Sequence, residues 1–165
     1  MILKRLVPLF FLAVSMLPAF AQSEEVKKNV MEPIKKLFDG MRQGDSTIAH
    51  SAFAKAVTLT SVMEDKNGAP VLRSDSLQSF LRAIGKPHNE VWSEMIWDPE
   101  VQVDGNFAQV WVKYAFYADK TFSHCGVDAF HLIKDQEGHW KIFHLADTRH
   151  KKNCDVPKSI SDQFK

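Results

Sequence analysis

The chain has 165 residues, 21 basic and 20 acidic, a formal net charge of +1, and 45% hydrophobic and 11% aromatic residues. So near-neutral a chain lacks the basic surface that non-specific phosphate binding requires, which excludes nucleic acid as an expected partner. The length suits one domain with its own core, and the sequence shows no internal repeat, low-complexity tract or linker.

Residues 1–21, MILKRLVPLFFLAVSMLPAFA, carry the three parts of an export signal: Lys4 and Arg5, an apolar run from Leu6 to Leu17, and the small-x-small ending Ala19-Phe20-Ala21. Cleavage near Ala21 is expected, leaving one domain over residues 22–165 in the periplasm or outside the cell. The apolar run, interrupted by Pro8 and Pro18, is too short for a permanent span of about 20 residues. No cysteine follows it in a lipoprotein position, so no stable membrane anchor is expected. Loss of Lys4 and Arg5 leaves 19 basic against 20 acidic residues.

From Glu24 to Arg42, Val26, Val30, Ile34, Leu37, Phe38 and Met41 make one apolar stripe, which predicts a helix with Ser23 as N-cap. Pro33 falls inside it and predicts a kink or a break there. Gly44-Asp45 ends this segment, and Ser46 to Lys55 reads as a second helix. Val57 to Val62 is β-branched and strand-like, closed by the turn Asp65 to Gly68, and Ser74 opens a third helix stopped by Gly85 and Pro87. From Glu90 on, strands are predicted over Glu90–Trp97, Val101–Val103, Phe107–Ala118, Thr121–Lys134 and Trp140–Thr148, joined by short polar turns. Helices first and a meander of strands afterwards give an α+β fold, with the helices on one face of a curved antiparallel sheet. A pocket can lie between the two layers.

This order, ending in the Gly138-x-Trp140-Lys141-Ile142 strand, resembles the nuclear transport factor 2-like fold. The run Val110-Trp111, Tyr114, Phe116-Tyr117, His124-Cys125-Gly126-Val127-Asp128, Asp147-Thr148-Arg149 and Cys154 resembles, more narrowly, the exported branch called putative lumazine-binding or SnoaL-like. The resemblance implies a cone-shaped sheet with helices on its concave face, a pocket in the cone, and often a dimer. Members of that superfamily include isomerases, dehydratases, cyclases and non-catalytic binders, so function is argued from the site and not from the fold.

Two cysteines in a chain with an export signal favour one disulfide, Cys125 to Cys154. A nucleophilic thiol and a metal site are the competing readings. Adjacent strand residues point to opposite faces, so His124 and Cys125 form no thiolate pair by adjacency. The histidines show no zinc-type spacing, and neither a metal nor a cofactor is expected.

In a regular strand, His124, Gly126, Asp128, Phe130 and Leu132 share a face, and Phe130 and Leu132 make it the core side. His124 and Asp128 are then inward polar groups about 13 Å apart, each needing a partner elsewhere. Tyr114 on the preceding strand, and Asp147 and Arg149 on the last, are the candidates. The last strand is ambiguous: Trp140, Ile142, His144 and Ala146 alternate one way, Phe143, Leu145, Asp147 and Arg149 the other, and a bulge could switch the faces.

The preferred reading is a small-organic-molecule binder using Tyr114, His124, Asp128 and Arg149. The first alternative is an isomerase, dehydratase or hydrolase with His124 as acid/base, Asp147 or Asp128 as its orienter and Arg149 as anion clamp. The second is a non-catalytic interaction module. Trp92, Trp97 and Trp111 cannot all point inward, which predicts an apolar patch on the outer sheet face, covered by homodimerisation.

Overall fold

A computed structural model describes residues 19–165. Most of the expected export signal, residues 1–18, lies outside them. Helix α1 runs Ala19–Gln43, so it starts before Ser23, the expected cap. It also continues through Pro33 without a break. A mid-helix proline forfeits a hydrogen bond, and here burial of Val30, Ile34, Leu37, Phe38 and Met41 along one stripe offsets that loss. No helix among the described residues is long and apolar enough to cross a membrane.

Helix α2 (Ser46–Ser51) is shorter than the sequence predicts. It starts where Asp45 accepts the amides of Thr47 and Ile48 at 2.8 and 3.0 Å. It crosses α1 at Gly40, where a side-chain carbon would stand 2.5 Å from the Ala49 nitrogen. Strand β1 (Phe53–Glu64) begins four residues before the expected start, because Phe53 pairs with Ile142. Strand β2 (Pro70–Asp75) was not foreseen. All six of its residues are exposed, so it has no inward alternation to read. It displaces the start of α3 (Leu77–Gly85), whose N-cap is Ser76 rather than Ser74.

Strand β3 (Trp92–Asp104) joins the two short strands expected there, across an irregularity at Asp98, where φ is 50°. Strands β4 (Phe107–Ala118), β5 (Thr121–Lys134) and β6 (Trp140–Thr148) fall where the alternation places them. The sheet order is β2-β1-β6-β5-β4-β3, with β1 parallel to β6 and every other pair antiparallel. The sheet is curved and unclosed, and the helices fill its concave side. There Ile34, Leu37 and Phe38 meet Val110, Val112, Phe130 and Leu132, with the Phe38 and Phe130 rings edge to face at 6.2 Å.

The C-terminal tail folds over the convex side. Cys125 and Cys154 form a disulfide with Cα atoms 6.0 Å apart. Beyond it a short helix α4 (Lys158–Ser161) and a 3-10 turn bring Ile160 and Phe164 onto Ala115 and Tyr117. The Tyr117 and Phe164 rings stack at 3.8 Å. Part of the outer face expected to be bare, including Met95 and Trp97, is therefore covered by the chain's own tail. Trp111 remains 52% exposed, on the same face as the exposed and mutually paired Phe107 and Ile133.

Candidate functional site

The bulge in the last strand exists and decides which residues enter the concave side. Leu132 pairs with Ile142 and His131 with His144, so Phe143 is the extra residue. Trp140 and Ile142 point into the core before the bulge, and Leu145, Asp147 and Arg149 point inward after it. His144 is turned outward, where its Nδ1 meets Thr58 Oγ1 at 2.5 Å and its ring lies 5.2 Å from that of His131.

Tyr114 on β4, His124 and Asp128 on β5, and Asp147 and Arg149 at the end of β6 all line one chamber of about 70 Å³. Its opposite wall is apolar, made by Leu37, Phe38 and Met41 of α1 and Phe80 of α3. Glu94 of β3 completes the polar wall. A chamber this size holds a few water molecules, not a ring system. Next to it, between α3 and β1, lies a cleft of about 300 Å³ lined by Leu59, Thr60, Arg73 and Ala83. Chamber and cleft share Phe80, Leu145, Asp147 and Arg149. An open basin of about 720 Å³ on the rim, with Lys151 and Lys152, shares His124 and Arg149. Arg149 lines all three.

Asp147, 12% exposed, is the hub of the hydrogen bonds. It accepts from Ser61 Oγ of β1, from Arg149 Nε at 2.7 Å, and from Tyr114 Oη at 3.3 Å. Arg149 Nη2 also donates to Ser61 Oγ at 3.2 Å, so this guanidinium is held from two sides while 44% exposed. Burial works against its charge, but the bond to Asp147 together with the electrostatic pull of Asp147, Tyr114 and Glu94 outweighs that and raises its pKa. The Tyr114 hydroxyl donates to the Thr148 carbonyl at 2.8 Å. Burial, and then the carboxylates of Glu94 and Asp147, push its pKa up and keep it a neutral donor.

His124 takes no part in this network. Its Nδ1 lies 3.0 Å from Ser123 Oγ, and its ring stacks on Phe116 with centroids 5.2 Å apart. Burial and then the Arg149 charge hold its pKa down to about 4. The expected orientation of His124 by Asp147 or Asp128 is not formed, because Asp147 is committed to Ser61, Tyr114 and Arg149. A neutral imidazole without a carboxylate partner is a weak proton donor at neutral pH.

Asp128 is 2% exposed, and its Oδ2 receives no donor from the protein. Glu94, a second carboxyl, lines the same chamber and acts on it. Two ionised carboxylates repel each other in a buried site, so the pair favours holding a proton. Burial, followed by the Glu94 charge, raises the Asp128 pKa well above its ordinary value. Burial likewise pushes Glu94 up to about 7. Sequence reasoning missed Glu94 and Ser61. Glu94 alternates in phase with the inward Ile96 and Trp92, a signal that was present in the strand pattern. Ser61 reaches the site only through the parallel β1–β6 pairing, which nothing local announces.

Among the described residues, Asp135, Glu137 and His139 also bring ligand-type atoms together. They form the β5–β6 turn, where Asp135 accepts the amides of Glu137 and His139. Turn geometry accounts for their position.

The sequence profile of the family described as putative lumazine-binding matches residues 25–145. Many solved structures share the fold. A nuclear transport factor 2-like protein of unknown function from Shewanella baltica is 18% identical, with a TM-score of 0.57, over 82% of this chain and 99% of that one. A protein of unknown function from Mycobacterium tuberculosis is 12% identical, with a TM-score of 0.66, over 91% and 88%. A structure described as a putative dehydratase of the nuclear transport factor 2-like family from Streptomyces avermitilis is 14% identical, with a TM-score of 0.58, over 79% and 99%. At such identities the likeness is one of fold. No curated protein matches the chain significantly.

Proposed function

The chain belongs to the putative lumazine-binding family, and on that premise we propose that it is an exported protein that binds a small organic molecule in the cleft between α3 and β1. The body of the ligand lies against Leu59, Phe80, Ala83 and Leu145, and an acceptor or anionic group of it meets Arg149. The observation that carries this reading is Arg149 itself. Its guanidinium stands at the junction of three cavities, fixed through Nε and Nη2, with Nη1 left to a ligand. A preorganised arginine in a partly apolar cleft of about 300 Å³ fits the usual make-up of a small-molecule site. Export rests on the signal-like residues 1–21 and agrees with a disulfide-bonded chain. Turnover through His124 and Asp147 is not part of this reading, since the two share no hydrogen bond.

The test is a thermal-shift and calorimetric survey of mono- and bicyclic aromatic compounds, with benzoate and lumazine among them, on the purified protein and on Arg149→Gln. Stabilisation of the parent by at least one compound, lost about tenfold or more in Arg149→Gln, is the expected result. Binding that is indifferent to Arg149, or no binding at all, overturns it.

The bare part of the convex face, around Trp111, Phe107 and Ile133, supports a second proposal, that two copies pair there. The tail already covers the Tyr117 end of that face, which confines the pairing surface to the opposite end.

A further inference from the structure

The chamber behind the cleft holds a buried acceptor that the donors around it do not reach. Asp128 Oδ2 is buried, and no amide, hydroxyl, imidazole or guanidinium of the protein reaches it. The group facing it, Glu94, is another carboxyl. The Tyr114 hydroxyl is spent on Thr148 and Asp147. Arg149 directs Nε and Nη2 at Asp147 and Ser61, and His124 Nδ1 is engaged by Ser123. The helical wall, Leu37, Phe38, Met41 and Phe80, supplies only carbon and sulfur. Charges do not balance the chamber either: Asp147 and Arg149 neutralise each other, which leaves the two carboxyls as its uncompensated end. A single proton between them satisfies one contact and leaves the remaining lone pairs unmatched.

We propose that this chamber is the deep subsite of the cleft and takes a compact cationic N–H donor head, an amidinium or a primary ammonium, against Glu94 and Asp128. The proposal rests on the reading of the cleft as a ligand site and narrows the class of ligand that fills it. An amidinium carries N–H groups on two nitrogens, enough to reach one oxygen of each carboxyl while displacing the shared proton. About 70 Å³ admits such a head but no ring. An attached ring then lies in the cleft, past Phe80 and Leu145, which line both spaces.

Benzamidine is the probe, with benzoate and neutral benzamide as its comparisons, titrated calorimetrically into the parent protein, Asp128→Asn and Glu94→Gln near neutral pH. The expected result is benzamidine binding to the parent at least about tenfold more tightly than benzamide. A loss of about tenfold or more is expected in Asp128→Asn, and Glu94→Gln repeats the measurement should that variant not fold. Benzamidine binding unchanged in both variants overturns the proposal. Arg149-dependent binding of benzoate with none of benzamidine overturns it too, and leaves the cleft reading standing. Binding of none of the three compounds overturns the proposal, and the survey of larger compounds then decides the cleft reading separately.

Discussion

The carbonyl oxygen of Thr148 stands 1.9 Å from where a side-chain carbon on residue 126 would sit, so Gly126 is what allows the end of β6 to press into the wall of the chamber. The regular ladder gives way there. Thr148 Oγ1, not a backbone carbonyl, accepts the Val127 amide at 3.1 Å, and the freed carbonyl turns inward to accept from Tyr114. Gly126→Ala is expected to push β6 outward, lose the Tyr114 bond and destabilise the fold by about 2 kcal/mol or more. Urea denaturation measures this, and an unchanged midpoint refutes it.

The carboxyl pair predicts a pH dependence of a definite sign. In the folded chain Glu94 titrates near 7 against an ordinary value of 4.5. The folded state therefore keeps a proton that the unfolded chain has released, and its stability falls as pH rises through that window. His124 acts oppositely: its pKa near 4 against 6.5 means that the unfolded chain binds more protons, so stability rises with pH in between. The two slopes oppose each other from about 4.5 to 6.5, and above 6.5 only the loss remains. Asp128→Asn places an amide donor opposite Glu94 and is expected to flatten that decline, gaining stability over the parent in mildly alkaline buffer. Parallel declines in parent and variant would show that the pair does not titrate as described.

The disulfide closes a loop with a sequence separation of 29, for which chain entropy gives about 3 to 4 kcal/mol. Cys154→Ser should lower stability by an amount of that order and loosen the tail. Amide exchange should then rise at Ile160 and Phe164, and at the Cys125 amide, which donates to the His150 carbonyl at 2.9 Å. Unchanged protection of the tail would mean that ring packing on Tyr117 suffices to hold it.

Trp111→Lys should convert a dimer to a monomer in sedimentation experiments while leaving the unfolding free energy, measured in urea at a dilution where both proteins are monomeric, within about 0.5 kcal/mol of the parent, because the side chain is half exposed in the single chain. A parent protein that sediments as a monomer disposes of the dimer proposal outright.

Much of the fold was legible because its determinants are local. The alternation Val110, Val112, Tyr114, Phe116 in β4 and Asp128, Phe130, Leu132 in β5 fixes which side is inward, and the structure puts those residues on the concave face. Asp147 and Arg149 could be suspected but not oriented, since the one-residue bulge at Phe143 reverses the phase of the strand. β2 carries no burial pattern at all. The end of α2 was misplaced because Phe53 through Lys55 belongs to a strand whose partner lies near residue 142. The tail's cover over Tyr117 was hidden for the same reason: a short segment rich in polar residues shows no periodicity until the face it lands on is known.

One consequence of the strand order concerns timing. β6 is the seam that joins the β1–β2 ribbon to the β3–β5 meander, and the chain makes it last. Ser61 waits for Asp147 across 86 residues. A chain that emerges N-terminus first thus shows open edges on β1 and β5 until residue 148 is free, and such edges invite pairing with the wrong strand. A ligand of the cleft would have nothing to hold until the seam closes, because Leu145, Asp147 and Arg149 line it, so it would reward a finished molecule without guiding an unfinished one. A chain truncated before residue 140 would lack Leu145, Asp147 and Arg149 of the cavities and leave the two parts of its sheet unjoined.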